Sequence, residues 1–421
     1  MKTNIQFRKN FIWNILGTGL NAFTSLFYMI IITRINGIND AGIFTIAYAT
    51  ACILYMIGIY AGRVYQVTEN DKSVNDKDYI LNRVISCSIA FIGGGIFCFI
   101  KGYSLYKIII FLVLGLYKVI ESFSDVLYGI LQKNELLEKV GKSYFVKSIL
   151  CIISFLIIDL ITKSLLISCI SLVIIYIIIT YFYDYKNAKK YMDKNDKINK
   201  NSVLKIFKSG FFTFAISFLG VYITNVQKYS IDNYLSNDLQ AIFGYIIMPA
   251  TVMGLLAQLI IHPFLNKIFN YFKNKEFTNI KKLLYKIILA IFIIGILFAI
   301  VGFLIGTNIL GILYNIDLAP FKLDLLIILI GATLYTMANI ITPILVTMRC
   351  TFIQFIIYIV IAIFEYLLSN FWVSQQGFNG AIYSYLVTMI VYFIVFYITA
   401  IIIIRKKIKN EEKIKWIFYI H

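Results

Sequence analysis

Apolar runs long enough to cross a bilayer alternate with short polar segments along the whole chain. A spanning helix needs about 20 mostly apolar residues. By that measure the pattern predicts twelve helices, at about 11–33, 41–62, 84–100, 108–131, 148–158, 165–182, 210–226, 241–264, 287–305, 323–347, 352–369 and 379–404. The fifth is short for a span and is expected to begin earlier, near Tyr144.

Lysine and arginine in short loops set orientation, because they resist translocation. With the N-terminus in the cytoplasm, 32 of the 39 Lys and Arg fall in inside segments, 6 in outside loops, and Lys118 within a span. An even number of spans then places both termini in the cytoplasm. Composition agrees: 60% of residues are hydrophobic and 14% charged, against about 25% charged in soluble proteins. The net charge of +18 would suit nucleic acid, but its distribution makes it a cytoplasmic collar facing anionic lipid instead. After "MKTNIQFRKN" the apolar run continues to Ile32 without a small-residue cleavage site, so an uncleaved first span is expected rather than a signal peptide. The six cysteines are scattered without a C-x-x-C pair and read as small buried hydrophobes. The two histidines, His262 and His421, give no basis for a histidine metal site, and no cofactor is expected.

The longest and most basic loop, "YDYKNAKKYMDKNDKINKNSVLKIFK", falls near the middle of the chain. It divides the expected domains: a six-helix bundle at 1–184, a basic cytoplasmic linker at 185–208, a second six-helix bundle at 209–404 and a basic cytoplasmic tail at 405–421. The halves echo one another, with Asn39, Asp40, Ile43 and Phe44 matched by Asn237, Asp238, Ile242 and Phe243. Six helices per half is even, so both halves insert alike. The expected fold is an all-α polytopic membrane protein whose two six-helix bundles are related by a pseudo-two-fold along the membrane normal. Carriers built this way bind substrate near the midplane.

Polar residues inside the spans follow helical spacing. Asn14, Thr18, Asn21 and Ser25 share a face of the first helix; Gly210, Thr213, Ser217, Thr224 and Lys228 one of the seventh; Thr251, Gln258 and His262 one of the eighth. Such faces turn away from lipid, toward either a neighbouring helix or a polar lumen. The fourth helix, around "GLYKVIESFSDVLYG", is different. Lys118, Glu121, Ser122 and Asp125 lie within about 100° of one another, and an ionisable group at the bilayer centre costs roughly 2.5–3.5 kcal/mol. Lys118 can pair with Glu121 at i+3, leaving Asp125 without an intrahelical partner. A lumen-facing cluster that contacts substrate or a coupling cation is expected. Glu365 is the other acid well inside a span, and Asp159 sits at a helix end and reads as interfacial. Arg34 and Arg63 flank the second helix and Lys228 ends the seventh, where snorkelling to the interface is the plain alternative to a substrate role.

Several segments together resemble a known group. They are "NFIWNILGTGLNAFTSLFYMIIITRINGINDAGIFTIAYA", "GRVYQVTE", "LLAQLIIHPFLNKIF" and "GFNGAIYSYLV". The chain is similar over essentially its whole length to the polysaccharide flippases, for O-antigen and capsule, of the multidrug/oligosaccharidyl-lipid/polysaccharide exporter superfamily. The resemblance implies a non-enzymatic carrier of the bacterial cytoplasmic (inner) membrane. It would move undecaprenyl-diphosphate-linked oligosaccharide, a lipopolysaccharide or capsule precursor, across the bilayer by alternating access. It implies Arg34, Arg63, Lys228 and Lys118 as groups meeting the pyrophosphate through charge-assisted hydrogen bonds, with Asn14, Asn21 and Gln258 lining the path. Glu121, Asp125 or Glu365 would bind a coupling H+ or Na+, and polysaccharide polymerase machinery would be a partner. Multidrug members of the superfamily place an acid in the first helix; this chain has none there. The acids of the fourth helix depart in turn from a purely basic lumen.

The alternative within the same fold is a cation-coupled multidrug or small-solute exporter. A membrane polymerase or glycosyltransferase needs a sizeable outer loop, whereas the longest here, about Gly306–Lys322, carries only Asp317 and Lys322. No phosphate-cradling glycine-rich loop is present for ATP-driven transport.

Overall fold

The structure, a computed structural model, describes the backbone of residues 2–60, 62–68 and 74–419, with side chains for all of these but 2–5, 7, 64, 256–259, 262–263 and 410–419. Every described element is helical. In order they are α1 (Lys2–Ile35), α2 (Ile38–Ile59), α3 (Gly62–Thr68), α4 (Asp76–Ile100), α5 (Leu105–Lys133), α6 (Leu137–Thr162), α7 (Leu165–Ala188), α8 (Lys200–Ile223), α9 (Val226–Tyr234), α10 (Asn237–Lys273), α11 (Phe277–Tyr314), α12 (Lys322–Thr347), α13 (Thr351–Gln376) and α14 (Phe378–Tyr419). Eleven are long and apolar enough to span a membrane. The twelfth span is α5, whose 29 residues are ample in length but whose charges interrupt its apolar character. Each of the twelve expected helices is therefore present, and α3 and α9 are short additions.

Boundaries moved where charged residues had been read as loop. The third span begins at Asp76 rather than 84, the fifth at Leu137, earlier still than the expected start near Tyr144, and the sixth runs through Ala188 rather than to 182. Arg83, Lys147 and Asp184 thus lie inside helices and are buried. A charge ends a hydropathic run on paper, but a helix continues through it when a counter-charge is in reach. Capping defines the starts that hydropathy blurs. Asn75 and Asp78 form a reciprocal capping box on α4, and Ser104 and Ser236 cap α5 and α10.

Two compact units comprise residues 1–222 and 223–421. In the first, α1 packs along α6, and α5 packs against α2, α4 and α7. The boundary falls at the end of α8 rather than in the basic loop before it. Local contacts explain this: the Tyr60 hydroxyl donates to the Phe207 carbonyl at 2.9 Å, and the Tyr60 ring stacks on Phe214. In the second unit α12 packs against α10, α11 and α14, and α13 against α14. The matched Asn-Asp motifs each open a long helix, α2 and α10, and bury Phe44 and Phe243 alike.

The α1–α6 contact rests on two glycines. A Cβ on Gly17 would collide with the Gly141 carbonyl, and one on Gly141 with the Trp13 carbonyl. Without side chains the two backbones close up, as small residues allow between spanning helices. Gly141→Ala is expected to lower the thermal unfolding midpoint, at a cost of about 1–3 kcal/mol for overpacking. Gly19, which has open space where a Cβ would stand, is the control; Gly19→Ala should leave the midpoint unchanged. Equal midpoints for both variants would refute the close approach.

Candidate functional site

The polar chemistry of the first unit centres on α5. Lys118 Nζ pairs with Glu121 Oε2 at 2.6 Å, as the i+3 spacing predicts. The ammonium is also ringed by tyrosines, 5.0, 5.8 and 5.1 Å from the centroids of Tyr48, Tyr55 and Tyr117. Cation–π attraction supplies what water would supply elsewhere. Across from this pair, Asn21 of α1 donates to Glu121 Oε1 at 3.3 Å. Its own carbonyl accepts from Tyr176 at 3.3 Å and Ser148 at 3.5 Å. Asn21, Lys118 and Glu121 therefore form one cluster tying α1, α5, α6 and α7.

Asp125, two turns further along α5, faces two arginines. Arg83 of α4 approaches its Oδ2 at 3.3 Å and also donates to the Gly58 carbonyl at 3.1 Å. Arg63 of α3 reaches Oδ1 through Nε at 3.7 Å. The two differ in burial: the Arg83 side chain is 4% exposed and that of Arg63 23%. Arg83 is thus a fixed internal counter-ion, whereas Arg63 lies at the edge of the cluster with its Nη1 unpartnered.

A third group lies on the other flank of α5. Lys147 and Asp184 meet at 2.6 Å with both side chains fully buried. The ammonium also donates to Ser124 at 2.8 Å, and to Tyr128 and Thr180 at 3.0 Å each. Tyr128 in turn donates to Asp184 at 3.2 Å. Thr180 and Asp184 belong to a π-helical turn, Thr180–Tyr185. The widened turn sets both side chains toward Lys147, in keeping with the frequent placement of π-bulges at special sites.

Asp159 lies in the last turn of α6, is buried, and accepts from Ser168 at 2.9 Å. Asn14 sits half-buried on α1 and its carbonyl accepts from Thr18. Arg34 lies exposed in the last turn of α1. Lys228 is half-buried on α9 of the second unit. The side chains of Gln258 and His262 lie outside the described residues.

Glu365 of α13 is the main buried acid of the second unit, with no exposed surface. Gln227 of α9 donates to its Oε1, while its Oε2, the Gln227 Oε1 and the hydroxyl of Ser369 one turn away have no partner. This is a small buried set of oxygens with spare acceptor capacity.

Sequence reading missed three members of the α5 network: Arg83, Lys147 and Asp184. The available signal was pairing. Each sits at the inner end of an apolar run where a helix could extend, and their charges are opposite in sign to those they meet.

The helices define a multi-pass membrane architecture, and comparison with known proteins places it beside other such folds. No protein-family profile matches the chain. Over 304 residues it is 28% identical to the capsular polysaccharide biosynthesis protein CapF of Staphylococcus aureus, spanning 71% of this chain and 75% of that protein. Two solved structures share the fold. One is the lipid II flippase MurJ in an inward closed conformation, with a TM-score of 0.70 and 15% identity over 97% of this chain and 92% of that one. The other is an inward-facing multidrug resistance MATE-family transporter of the MOP superfamily, with a TM-score of 0.66 and 13% identity over 93% of this chain and 99% of that one. The chain shares the fold of these two structures, as its sequence resemblance implied.

Proposed function

We propose that this chain is a flippase of the bacterial cytoplasmic membrane, moving undecaprenyl-diphosphate-linked oligosaccharide to the outer leaflet by ion-coupled alternating access, with both termini in the cytoplasm. One observation carries the reading. Among the described residues, the cations Lys118, Lys147, Arg63 and Arg83 around α5 are paired with three acids, Glu121, Asp125 and Asp184. The unbalanced positive charge, with the partly exposed Arg63 as its accessible member, suits a diphosphate. A carrier of cationic drugs would call for the opposite excess. The capsule-biosynthesis relative supports the same substrate class.

Complementation tests it. Expression in a flippase-null strain that makes the matching glycan should restore surface polysaccharide and clear the lipid-linked intermediate. Confirmed expression with neither effect would move weight to the multidrug exporter, which the MATE-like fold fits and which drug-efflux assays would then reveal.

Glu365 is the preferred coupling group over Glu121 and Asp125, because those two are already salt-bridged and Glu365 has only an amide partner. Glu365→Gln keeps shape and hydrogen bonding. It is expected to leave the unfolding midpoint in place while stopping glycan export. Normal export would mean the carboxyl is structural.

A further inference from the structure

At one end of the second unit, α10 and α11 form an antiparallel hairpin around residues 274–276, and a groove of about 410 Å³ runs between them. Each wall is a helical stripe. The α10 wall is Ile260, Phe264, Lys267 and Tyr271, spaced i, i+4, i+7 and i+11. The α11 wall begins at Asn279 and passes Lys282 and Lys286 to Ala290, with Leu283 and Ile287 between them. Polarity is graded along the groove. Tyr271, Asn279 and Lys282 lie at the hairpin end, and Ile260, Ile287 and Ala290 at the deeper end.

Three features specify an occupant. Among the described residues none lining the groove is acidic, so the ammoniums of Lys267, Lys282 and Lys286 repel one another until an anion joins them. Among the described residues none of the three forms an ion pair; Lys267 only leans over the Tyr271 ring at 5.7 Å. Glu276 of the hairpin is engaged by the Asn279 amide at 2.7 Å. Finally, the α11 wall continues into Leu289 and Ile293, which are 58% and 50% exposed and so face the bilayer. From Lys282 to Ala290 the groove offers roughly 12 Å along the helix axis. An anion at one end and a hydrocarbon chain at the other is the form of a single lipid.

We infer that this groove is a binding site for an anionic phospholipid of the surrounding membrane, its phosphate held by Lys267, Lys282 and Lys286 and an acyl chain lying against Phe264, Ile287 and Ala290. The site differs from a diffuse basic collar in having a built apolar floor. It does not depend on what the chain transports.

Purified full-length protein in detergent, studied by native mass spectrometry with added palmitoyl-oleoyl phosphatidylglycerol or phosphatidylcholine, tests it. The wild type should retain phosphatidylglycerol in preference. A lysine near anionic lipid contributes about a fivefold factor, so the Lys267→Gln/Lys282→Gln/Lys286→Gln variant should bind it on the order of 100-fold more weakly. Ala290→Phe fills the chain end without touching a charge and should also lose the lipid. Unchanged retention in the lysine variant overturns the proposal. Loss in that variant with full retention in Ala290→Phe would leave only general electrostatic attraction, and overturns it too. Sodium diphosphate protecting the protein against heat as well as phosphatidylglycerol does would mark a site for free anions and refute the lipid.

Discussion

Lys147→Met is expected to cost about 3–5 kcal/mol of stability, because it strips a wholly buried carboxylate of its counter-ion. Asp184 would keep only the Tyr128 hydroxyl on its Oδ2, and its Oδ1 is already unpartnered. Ser124 and Thr180 would lose their shared donor at the π-helical turn. The readout is the thermal unfolding midpoint of the purified protein. A double variant, Lys147→Met with Asp184→Leu, removes both charges. It should recover a large part of the loss, since a buried pair replaced by apolar groups of similar size is often close to neutral. A single variant as stable as wild type would show that the pair is hydrated and that its burial has been misread. A double variant as damaged as the single would show that the hydroxyl network, not the charge pair, holds the turn.

Asp125→Asn and Arg63→Gln separate scaffold from transport. Asp125 is the shared carboxylate of two guanidiniums, and without it Arg83 stays buried and unpaired. The Asn variant should therefore lose both folded yield and export, again by about 3–5 kcal/mol. Arg63 is at the edge of the same cluster, and its removal leaves Asp125 paired with Arg83. Arg63→Gln should keep the unfolding midpoint and lower export by about 10- to 100-fold, the value of a charged hydrogen bond of roughly 1.5–3 kcal/mol. The measurement is accumulation of lipid-linked intermediate alongside surface glycan. If Arg63→Gln exports normally, the accessible cation is not where the diphosphate is met. If it unfolds as Asp125→Asn does, the two arginines are equally structural.

The difference between the two arginines was invisible in the chain. Arg63 stands just after one apolar run and Arg83 just before the next, both at the edge of an expected span. Only the packing of α3 and α4 against α5 shows one sealed between helices and the other left partly open. Lys118 was the opposite case. Its pairing with Glu121 follows from helical spacing alone, and the structure adds only the tyrosine cage. For Asp125 the sequence argument ended at an acid without an intrahelical partner, because its partners come from helices 42 and 62 residues away. Glu365 likewise stood out as a lone acid in an apolar run, but Gln227, its partner from 138 residues earlier, did not.

What the order of residues settles here is what local physics controls. Backbone polar groups cannot be left open in hydrocarbon, so each apolar run of sufficient length must be a helix, and all twelve were legible. Helical periodicity likewise placed Lys118, Glu121 and Asp125 on one face. Tertiary structure decided where those helices end and which charges cancel. A buried lysine and a loop lysine are written with the same letter, and only a counter-charge brought from another helix makes the first affordable within a span. That is why Arg83, Lys147 and Asp184 emerged as members of the buried charge network of the first unit only once α4, α6 and α7 were packed around α5.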